Sequence, residues 1–285
     1  MKMRRGEILA LDTQGFHRLR YQEWGSADNE RVLICVHGLA RNSRDFDDLA
    51  IALSRNYRVI CPDLPGRGES DWLVASSDYA LPLYVQDMVA LIARLGVEKV
   101  DWVGTSLGGL IGMALAARPG NPIRRLVLND IGPYVPQAAL ARIAAYLGDP
   151  RFANAAEVET YLRGLYPAFG DLNDKQWQHL VAHGQRECED GRLGLHYDPA
   201  IADNAALVGK QDLDLWGLWS AVSCPQLLIQ GGASDVLTSE VAQRMNRENS
   251  ELTLKTLPGL AHAPSLMEAD HIALVVEWLR STQGC

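Results

Sequence analysis

The chain has 285 residues, of which 47% are hydrophobic and 22% charged, a composition typical of a globular protein with a substantial core. Its formal net charge of −8 argues against nucleic acid as a partner, because such binding depends on basic residues that neutralise phosphates. No apolar run reaches the roughly 18 residues of a membrane span, and no apolar stretch follows the basic residues near the start. We therefore expect no stable membrane insertion and a cytoplasmic location.

The five cysteines are dispersed and form no C-x-x-C pair, which argues against a disulfide framework and a structural zinc site. His179 and His183 have the four-residue spacing of a shared metal site, but no H-E-x-x-H glutamate accompanies them. We expect them on a solvated helix, and we expect neither a metal nor an organic cofactor.

Short β-branched runs alternate with helical patterns in the first part of the chain, which is typical of βαβ units and a mostly parallel sheet. The predicted strands cover residues 32–36, 59–61, 100–103 and 126–128, and the predicted helices cover 44–53, 83–95 and 107–117. The pattern returns near the end, with predicted strands at 226–229 and 252–257 and a predicted helix at 272–279.

Residues 132–220 interrupt this alternation with several helical patterns separated by Gly, Pro and Asp. We expect an α/β core made of residues 1–131 and 221–285, with an inserted helical cap at 132–220. Aromatic residues of the insertion either pack within the cap or line an apolar pocket beneath it. The candidates for the pocket are Tyr134, Trp177, Trp216 and Trp219, together with Tyr161 and Tyr166.

The sequence GTSLG at 104–108 follows a predicted strand and opens a predicted helix, which is the context of a G-x-S-x-G nucleophile turn. A sharp turn at this point projects the Ser106 hydroxyl from the carboxyl end of the sheet, and the flanking glycines avoid steric clashes. The following helix N-terminus supplies unpaired N–H groups for a developing oxyanion.

A serine nucleophile needs a base, which in turn needs an orienting carboxylate. His262 lies in a loop between a predicted strand and the last predicted helix. Asp235 follows the predicted strand 226–229 and is the favoured acid, giving the chain order Ser, Asp, His. Asp130 also ends a predicted strand and remains the alternative acid.

These motifs together resemble the α/β-hydrolase superfamily, and the resemblance covers nearly all of the chain outside the cap. It implies that HGL at 37–39 is the oxyanion loop, with the N–H groups of Leu39 and Leu107 as donors. The segment DLPGRGES at 63–70 is similar to a turn that is structural in the family. Parts of the chain are similar to bacterial esterases and 3-oxoadipate enol-lactonase-like hydrolases.

We therefore expect hydrolysis of small or medium carboxylic esters through an acyl-enzyme on Ser106. A lactonase, a thioesterase, an amidase or a C–C hydrolase remains possible on the same triad, and so does a non-catalytic binding module on the same fold. Arg41 bears on the lactonase alternative, because it either binds a substrate carboxylate or pairs with a nearby aspartate. The expected partner is a small ester or lactone, and the sequence leaves a homodimer open.

Overall fold

The structure is a computed structural model that describes residues 3–282. Its strands are, in chain order, β1 (Arg4–Leu11), β2 (Phe16–Trp24), β3 (Val32–Val36), β4 (Arg58–Pro62), β5 (Val100–Thr105), β6 (Ile123–Asn129), β7 (Tyr134–Val135), β8 (Gln185–Glu187), β9 (Leu193–Leu195), β10 (Leu213–Asp214), β11 (Gln226–Gly231) and β12 (Leu252–Leu257).

The helices are α1 (Asp47–Leu53), α2 (Leu81–Leu95), α3 (Leu107–Ala116), α4 (Gln137–Tyr146), α5 (Ala155–Leu165), α6 (Asp174–Gly184), α7 (Ile201–Val208), α8 (Trp216–Trp219), α9 (Ser239–Glu248) and α10 (Ala269–Ser281). Short 3₁₀ turns lie at Ser43–Phe46 and Ser76–Asp78. None of the helices within residues 3–282 combines the length and the apolar character that crossing a membrane requires.

One eight-stranded sheet organises the chain, in the order β1-β2-β4-β3-β5-β6-β11-β12. The pairs from β4 through β12 are parallel, whereas β1–β2 and β2–β4 are antiparallel. The predicted mostly parallel α/β sheet is thus confirmed. Since the parallel strands share one direction, the loops that follow β5, β6, β11 and β12 meet at one edge of the sheet.

Two apolar cores cover the two faces of this sheet. Along β3, Val32 and Ile34 face one core while Leu33 and Cys35 face the other, as the two-residue period of a strand requires. Helices α2 and α3 pack into the first core, and α1 and α10 pack into the second. Both faces are covered, which explains why the β3 sequence VLICV is apolar throughout.

The hairpin β1–β2 at the sheet edge escaped prediction. Ile8 and Ala10 are buried, whereas Leu9 and Leu11 are exposed, so the sequence ILAL conceals the alternation of a half-buried strand. The strands β7 to β10 were missed too, because two or three residues are too few to show a pattern.

Residues 132–220, here called the cap segment, contain helices α4 to α8 between β6 and β11. The pairs β7–β10 and β8–β9 form two small antiparallel sheets within the segment. An isolated bridge joins Arg67 to Tyr197, and the Asp198 N–H donates to the Gly66 carbonyl. The cap segment is therefore tied to the loop after β4 as well as to the ends of its neighbouring strands.

The buried ring of His17 in β2 lies between two carboxylates. Its Nε2 is 3.0 Å from Asp87 Oδ2 of α2, and its Nδ1 is 3.2 Å from Asp12 Oδ2. Burial alone would lower the pKa of His17, but the hydrogen bond to Asp87 and the charges of Asp87 and Asp12 outweigh it and raise this pKa. When it is protonated, the ring attracts both carboxylates and helps to hold the hairpin against α2.

A raised pKa means that the folded state binds the His17 proton more tightly than the unfolded chain does. The contribution of His17 to the free energy of unfolding is therefore fully present at acidic pH. We expect the free energy of unfolding to fall as the pH rises from about 6.5, the ordinary histidine value, through the raised pKa. Urea denaturation across this range measures the slope. His17→Gln should flatten it, and parallel profiles for the two proteins would contradict this assignment.

Candidate active site

Ser106 occupies a sharp turn between β5 and α3. Its backbone has φ 51° and ψ −113°, a left-handed conformation that a non-glycine residue rarely adopts. A Cβ on Gly108 would lie 2.1 Å from the carbonyl oxygen of Val36, and one on Gly104 would lie 2.3 Å from the carbonyl oxygen of Gly108. The two motif glycines are therefore required by close backbone contacts, as the sequence predicts.

Three side chains form a hydrogen-bonded chain at the carboxyl edge of the sheet. His262 Nε2 lies 2.9 Å from Ser106 Oγ, and His262 Nδ1 lies 2.8 Å from Asp130 Oδ2. Asp130 is fully buried, and it also accepts hydrogen bonds from the Gly231 N–H at 2.7 Å and the Ser234 hydroxyl at 2.6 Å. This arrangement can take the serine proton onto the imidazole and stabilise the resulting charge.

The structure corrects the prediction of Asp235 as the acid, since the contact to His262 is made by Asp130. Asp235 is half-exposed and forms a bidentate ion pair with Arg142 of α4, at 2.6 and 2.7 Å. The reason is strand order: Asp130 ends β6, the direct neighbour of β5, whereas Asp235 follows β11, one strand further from Ser106. The preceding residue, Ser234, is the one that turns inward to Asp130.

His37 fixes the predicted oxyanion loop. Its Nδ1 donates to the Gly38 carbonyl at 2.7 Å, and its Nε2 accepts from the Leu64 N–H at 3.0 Å. Burial lowers the pKa of His37 to about 3, so the ring is neutral and does not act as a second base. Because the peptide is planar and trans, the Leu39 N–H points away from the held Gly38 carbonyl.

The residues that carry the two predicted oxyanion donors, Leu39 and Leu107, line the same cavity as Ser106. A Cβ on Gly38 would be 3.7 Å from Ser106 Cβ, which places the peptide that carries the Leu39 N–H beside the serine. The buried guanidinium of Arg67 donates to the Leu39 carbonyl at 2.9 Å and holds the next peptide. Leu107 begins α3, where the first N–H groups have no carbonyl one turn earlier to accept from them.

An apolar cavity of about 220 Å³ lies over Ser106. Its wall combines Leu39, Leu107 and His262 of the core with residues of the cap segment. The larger apolar and aromatic side chains that the cap segment contributes are Val135, Leu140, Ile143, Tyr146, Tyr166, Phe169, Ile201, Val208 and Leu213. A site of this kind suits the apolar part of a small substrate.

Most of the aromatic residues predicted for this pocket lie elsewhere. Tyr134 donates to Asp212 at the surface, and Trp177 stacks beneath the Arg163 guanidinium. Trp216 and Trp219 pack edge to face, and Trp219 donates to Gln226 at the start of β11, the end opposite the nucleophile. These four side chains thus pack the cap segment, and only Tyr166 of the residues named with them reaches the cavity wall.

Arg41 lies on the cavity wall, and its ion pair is almost completely buried. Its Nε and Nη2 donate to Asp45 at 2.9 and 2.6 Å, and its guanidinium stacks on Tyr166 with 5.8 Å to the ring centre. Burial alone would lower the pKa of Arg41, but Asp45 outweighs it and raises this pKa further. The pair is neutral overall, which weakens the attraction of the inner cavity for an anion.

His179 and His183 lie with Asp47 in a cluster whose potential ligand atoms are within 4.8 Å of one another. Arg44 lies among these side chains. Its carbonyl is 2.8 Å from His179 Nε2, while its guanidinium pairs with Asp47 and is 3.3 Å from His183 Nδ1. A cationic side chain therefore contacts two of the three potential ligands, Asp47 and His183.

Comparisons with known proteins identify the family and agree with the fold. A model described as "Alpha/beta hydrolase family" matches residues 33–278. A 3-hydroxybutyrate-oligomer hydrolase of Cupriavidus necator is 42% identical over 96% of this chain and 97% of the relative. An esterase of Mycobacterium tuberculosis is 27% identical over 79% of this chain and 73% of the relative. A crystal structure of an alpha/beta hydrolase from Novosphingobium aromaticivorans has a TM-score of 0.86 and 33% identity, covering 97% of this chain and 98% of that chain.

Mutation can distinguish the roles of Asp130 and Asp235. Asp130→Asn should lower kcat for a neutral p-nitrophenyl ester by about 10⁴-fold, because an amide neither orients the histidine tautomer nor balances the imidazolium charge. Asp235→Asn should keep kcat within a few-fold, since Asp235 does not contact His262. Steady-state rates on folded proteins, checked by circular dichroism, measure both. The reverse ranking would restore Asp235 as the acid.

Proposed function

Because the chain belongs to the alpha/beta hydrolase family, we propose that it hydrolyses small carboxylic esters through an acyl-enzyme formed on Ser106. The observation that carries the proposal is the hydrogen-bonded chain from Ser106 through His262 to Asp130, at the floor of an apolar cavity. His262 lies within hydrogen-bond distance of both Ser106, whose proton it would take, and Asp130, which would orient the ring.

The proposed reaction begins with attack of Ser106 Oγ on the ester carbonyl while His262 Nε2 takes the serine proton. The N–H groups of Leu39 and Leu107 stabilise the tetrahedral oxyanion, and donors of this kind contribute about 3 to 4 kcal/mol each. His262 then protonates the leaving alcohol. Water attacks the acyl-enzyme with His262 as the base, which releases the acid and restores Ser106. These steps need no metal and no organic cofactor.

The substrate class that we favour is a short oligomer of 3-hydroxybutyrate. Support comes from the Cupriavidus necator relative, which covers almost the whole chain at 42% identity and is named for hydrolysis of such oligomers. The cavity of about 220 Å³ also suits a short acyl group with little polar functionality. An enol-lactone acid is less favoured, because Asp45 already neutralises Arg41 inside the cavity.

A panel of p-nitrophenyl esters from acetate to palmitate, together with the 3-hydroxybutyrate dimer, tests the proposal. Wild-type protein should act on the dimer and on the short and medium esters, and Ser106→Ala should abolish both activities. If wild type and variant are equally inert, ester hydrolysis is the wrong reaction. Lactones, thioesters, C–C substrates or a non-catalytic role would then take precedence.

The cavity wall should set the preference for acyl length. Val208 at the end of α7 lines the cavity and is partly exposed, so Val208→Trp should narrow the space without disturbing a core. We expect kcat/KM to fall for medium esters more than for the acetate. Leu207→Trp, at an exposed neighbouring position outside the cavity wall, is the matched control. Equal effects of both variants across the panel would show that this wall does not select the acyl chain.

A further inference from the structure

A second concavity meets the first one at His262. It is an open cleft of about 540 Å³ between the cap segment and the loops that follow β11 and β12. Arg142 and Gly164 line it on one side, and Asp235 and Ala261 line it on the other. Tyr146 and His262 belong to the walls of both spaces. These two side chains therefore stand between an inner apolar cavity and an outer charged cleft.

The position of His262 assigns the two halves of an ester to the two spaces. The acyl carbon has to lie between Ser106 and the oxyanion donors, which belong to the inner cavity. The leaving oxygen has to lie within hydrogen-bond reach of His262 Nε2, since this nitrogen protonates it. The remainder of the leaving alcohol then extends past His262 toward the outer cleft.

We propose that the outer cleft is the subsite for the leaving alcohol and that Arg142 binds a carboxylate carried by that alcohol. The inference rests on the proposed function and deepens it. When an oligomer of a hydroxy acid is cleaved, its free carboxylate stays with the alcohol half, whereas the acyl half ends in a neutral hydroxyl. An apolar acyl cavity and an alcohol cleft that presents the exposed guanidinium of Arg142 match these two halves.

Arg142 has donor capacity left for such a carboxylate. Asp235 takes its Nε and Nη2, and no hydrogen-bond partner for Nη1 is found within residues 3–282. A second carboxylate can approach the edge formed by Nη1 and Nη2, as the forked guanidinium permits. Arg142 and Asp235 are both half-exposed, at 47% and 49%, so the pair is open to an incoming anion.

Asp235 acts against the incoming anion in this arrangement. Burial alone would raise the pKa of Asp235, but hydrogen bonds and charge from Arg142 lower it, so the carboxylate is ionised at neutral pH. Its charge partly neutralises Arg142 and repels a substrate carboxylate. Removing Arg142 and removing the charge of Asp235 should therefore have opposite effects on an anionic ligand.

The test measures binding to Ser106→Ala protein, which does not turn the ligand over. The probes are the 3-hydroxybutyrate dimer and its methyl ester, which differ in the terminal charge and in one methyl group, and the method is isothermal titration calorimetry. On this background we expect the acid to bind about fivefold more tightly than the ester, the upper range for an exposed ion pair. Arg142→Gln should abolish that preference, and Asp235→Asn should increase it.

Two controls separate this role from general effects. Arg244→Gln removes the same charge from a comparably exposed ion pair, with Glu248 on α9, and should keep the preference for the acid. The double variant Arg41→Gln/Asp45→Asn removes both charges of the inner pair together, so no buried charge is left without its partner. It should also keep the preference for the acid.

Three outcomes would overturn the proposal. In the first, the acid and the ester bind with equal affinity to the Ser106→Ala protein. In the second, Arg142→Gln and Asp235→Asn change the affinity for the acid in the same direction and change the affinity for the ester equally, as the loss of a merely structural ion pair would. Alternatively, the Arg41/Asp45 variant alone removes the preference, which would place the carboxylate in the inner cavity. Arg142-dependent binding of a dimer that wild-type protein fails to cleave would reject the proposed function and leave this subsite standing.

Discussion

The site depends on the hydrogen bonds that satisfy the buried carboxylate of Asp130. A fully buried charge is tolerated only where hydrogen-bond donors replace its lost water. Its donors here are the Gly231 N–H, the Ser234 hydroxyl and the His262 ring, which come from β11 and from the loops that follow β11 and β12. The contacts that make the burial possible are thus the contacts that place His262 over Ser106. The hydrogen bonds that stabilise this edge of the sheet therefore also position the hydrogen-bonded chain of Ser106, His262 and Asp130.

The parallel strands hold the two strained residues in place. Ser106 and Asp130 each follow their strand directly and have φ of 51° and 56°, a conformation that costs on the order of 1 to 3 kcal/mol per residue. The Ser106 N–H donates to the Asn129 carbonyl at 3.0 Å, and the Asp130 N–H donates to the Ile229 carbonyl at 2.8 Å. Each strained residue is therefore bonded to the next strand across the sheet. These hydrogen bonds to β6 and β11 hold Ser106 and Asp130 in their strained conformations.

The sequence was sufficient for features that depend on local chemistry. The glycines of the turn at Ser106, the late His262 and the strands of the parallel core all follow from short patterns. Such patterns did not identify which carboxylate contacts His262, because Asp130 and Asp235 both follow strands. The choice between them requires the strand order β5-β6-β11, which is a long-range property. The aromatic residues failed for a similar reason. Their positions in the sequence put Trp216 and Trp219 in the cap segment but did not show that α8 packs near the start of β11, away from the nucleophile.

The loop after β11 connects the relay to the surface through two consecutive residues. Ser234 turns inward and donates to Asp130, while Asp235 turns outward and pairs with Arg142 of the cap segment. The Arg41–Asp45 pair differs in exposure, since its side chains are 10% and 12% exposed, against 47% and 49% for Arg142 and Asp235. Each pair is neutral overall, but the outer pair is the more open of the two to an anion from solvent, and it lines the cleft that His262 borders. In the proposed arrangement, an ester with an apolar acyl half and an anionic alcohol half is oriented by the apolar wall of the inner cavity and by Arg142, with its scissile bond beside His262.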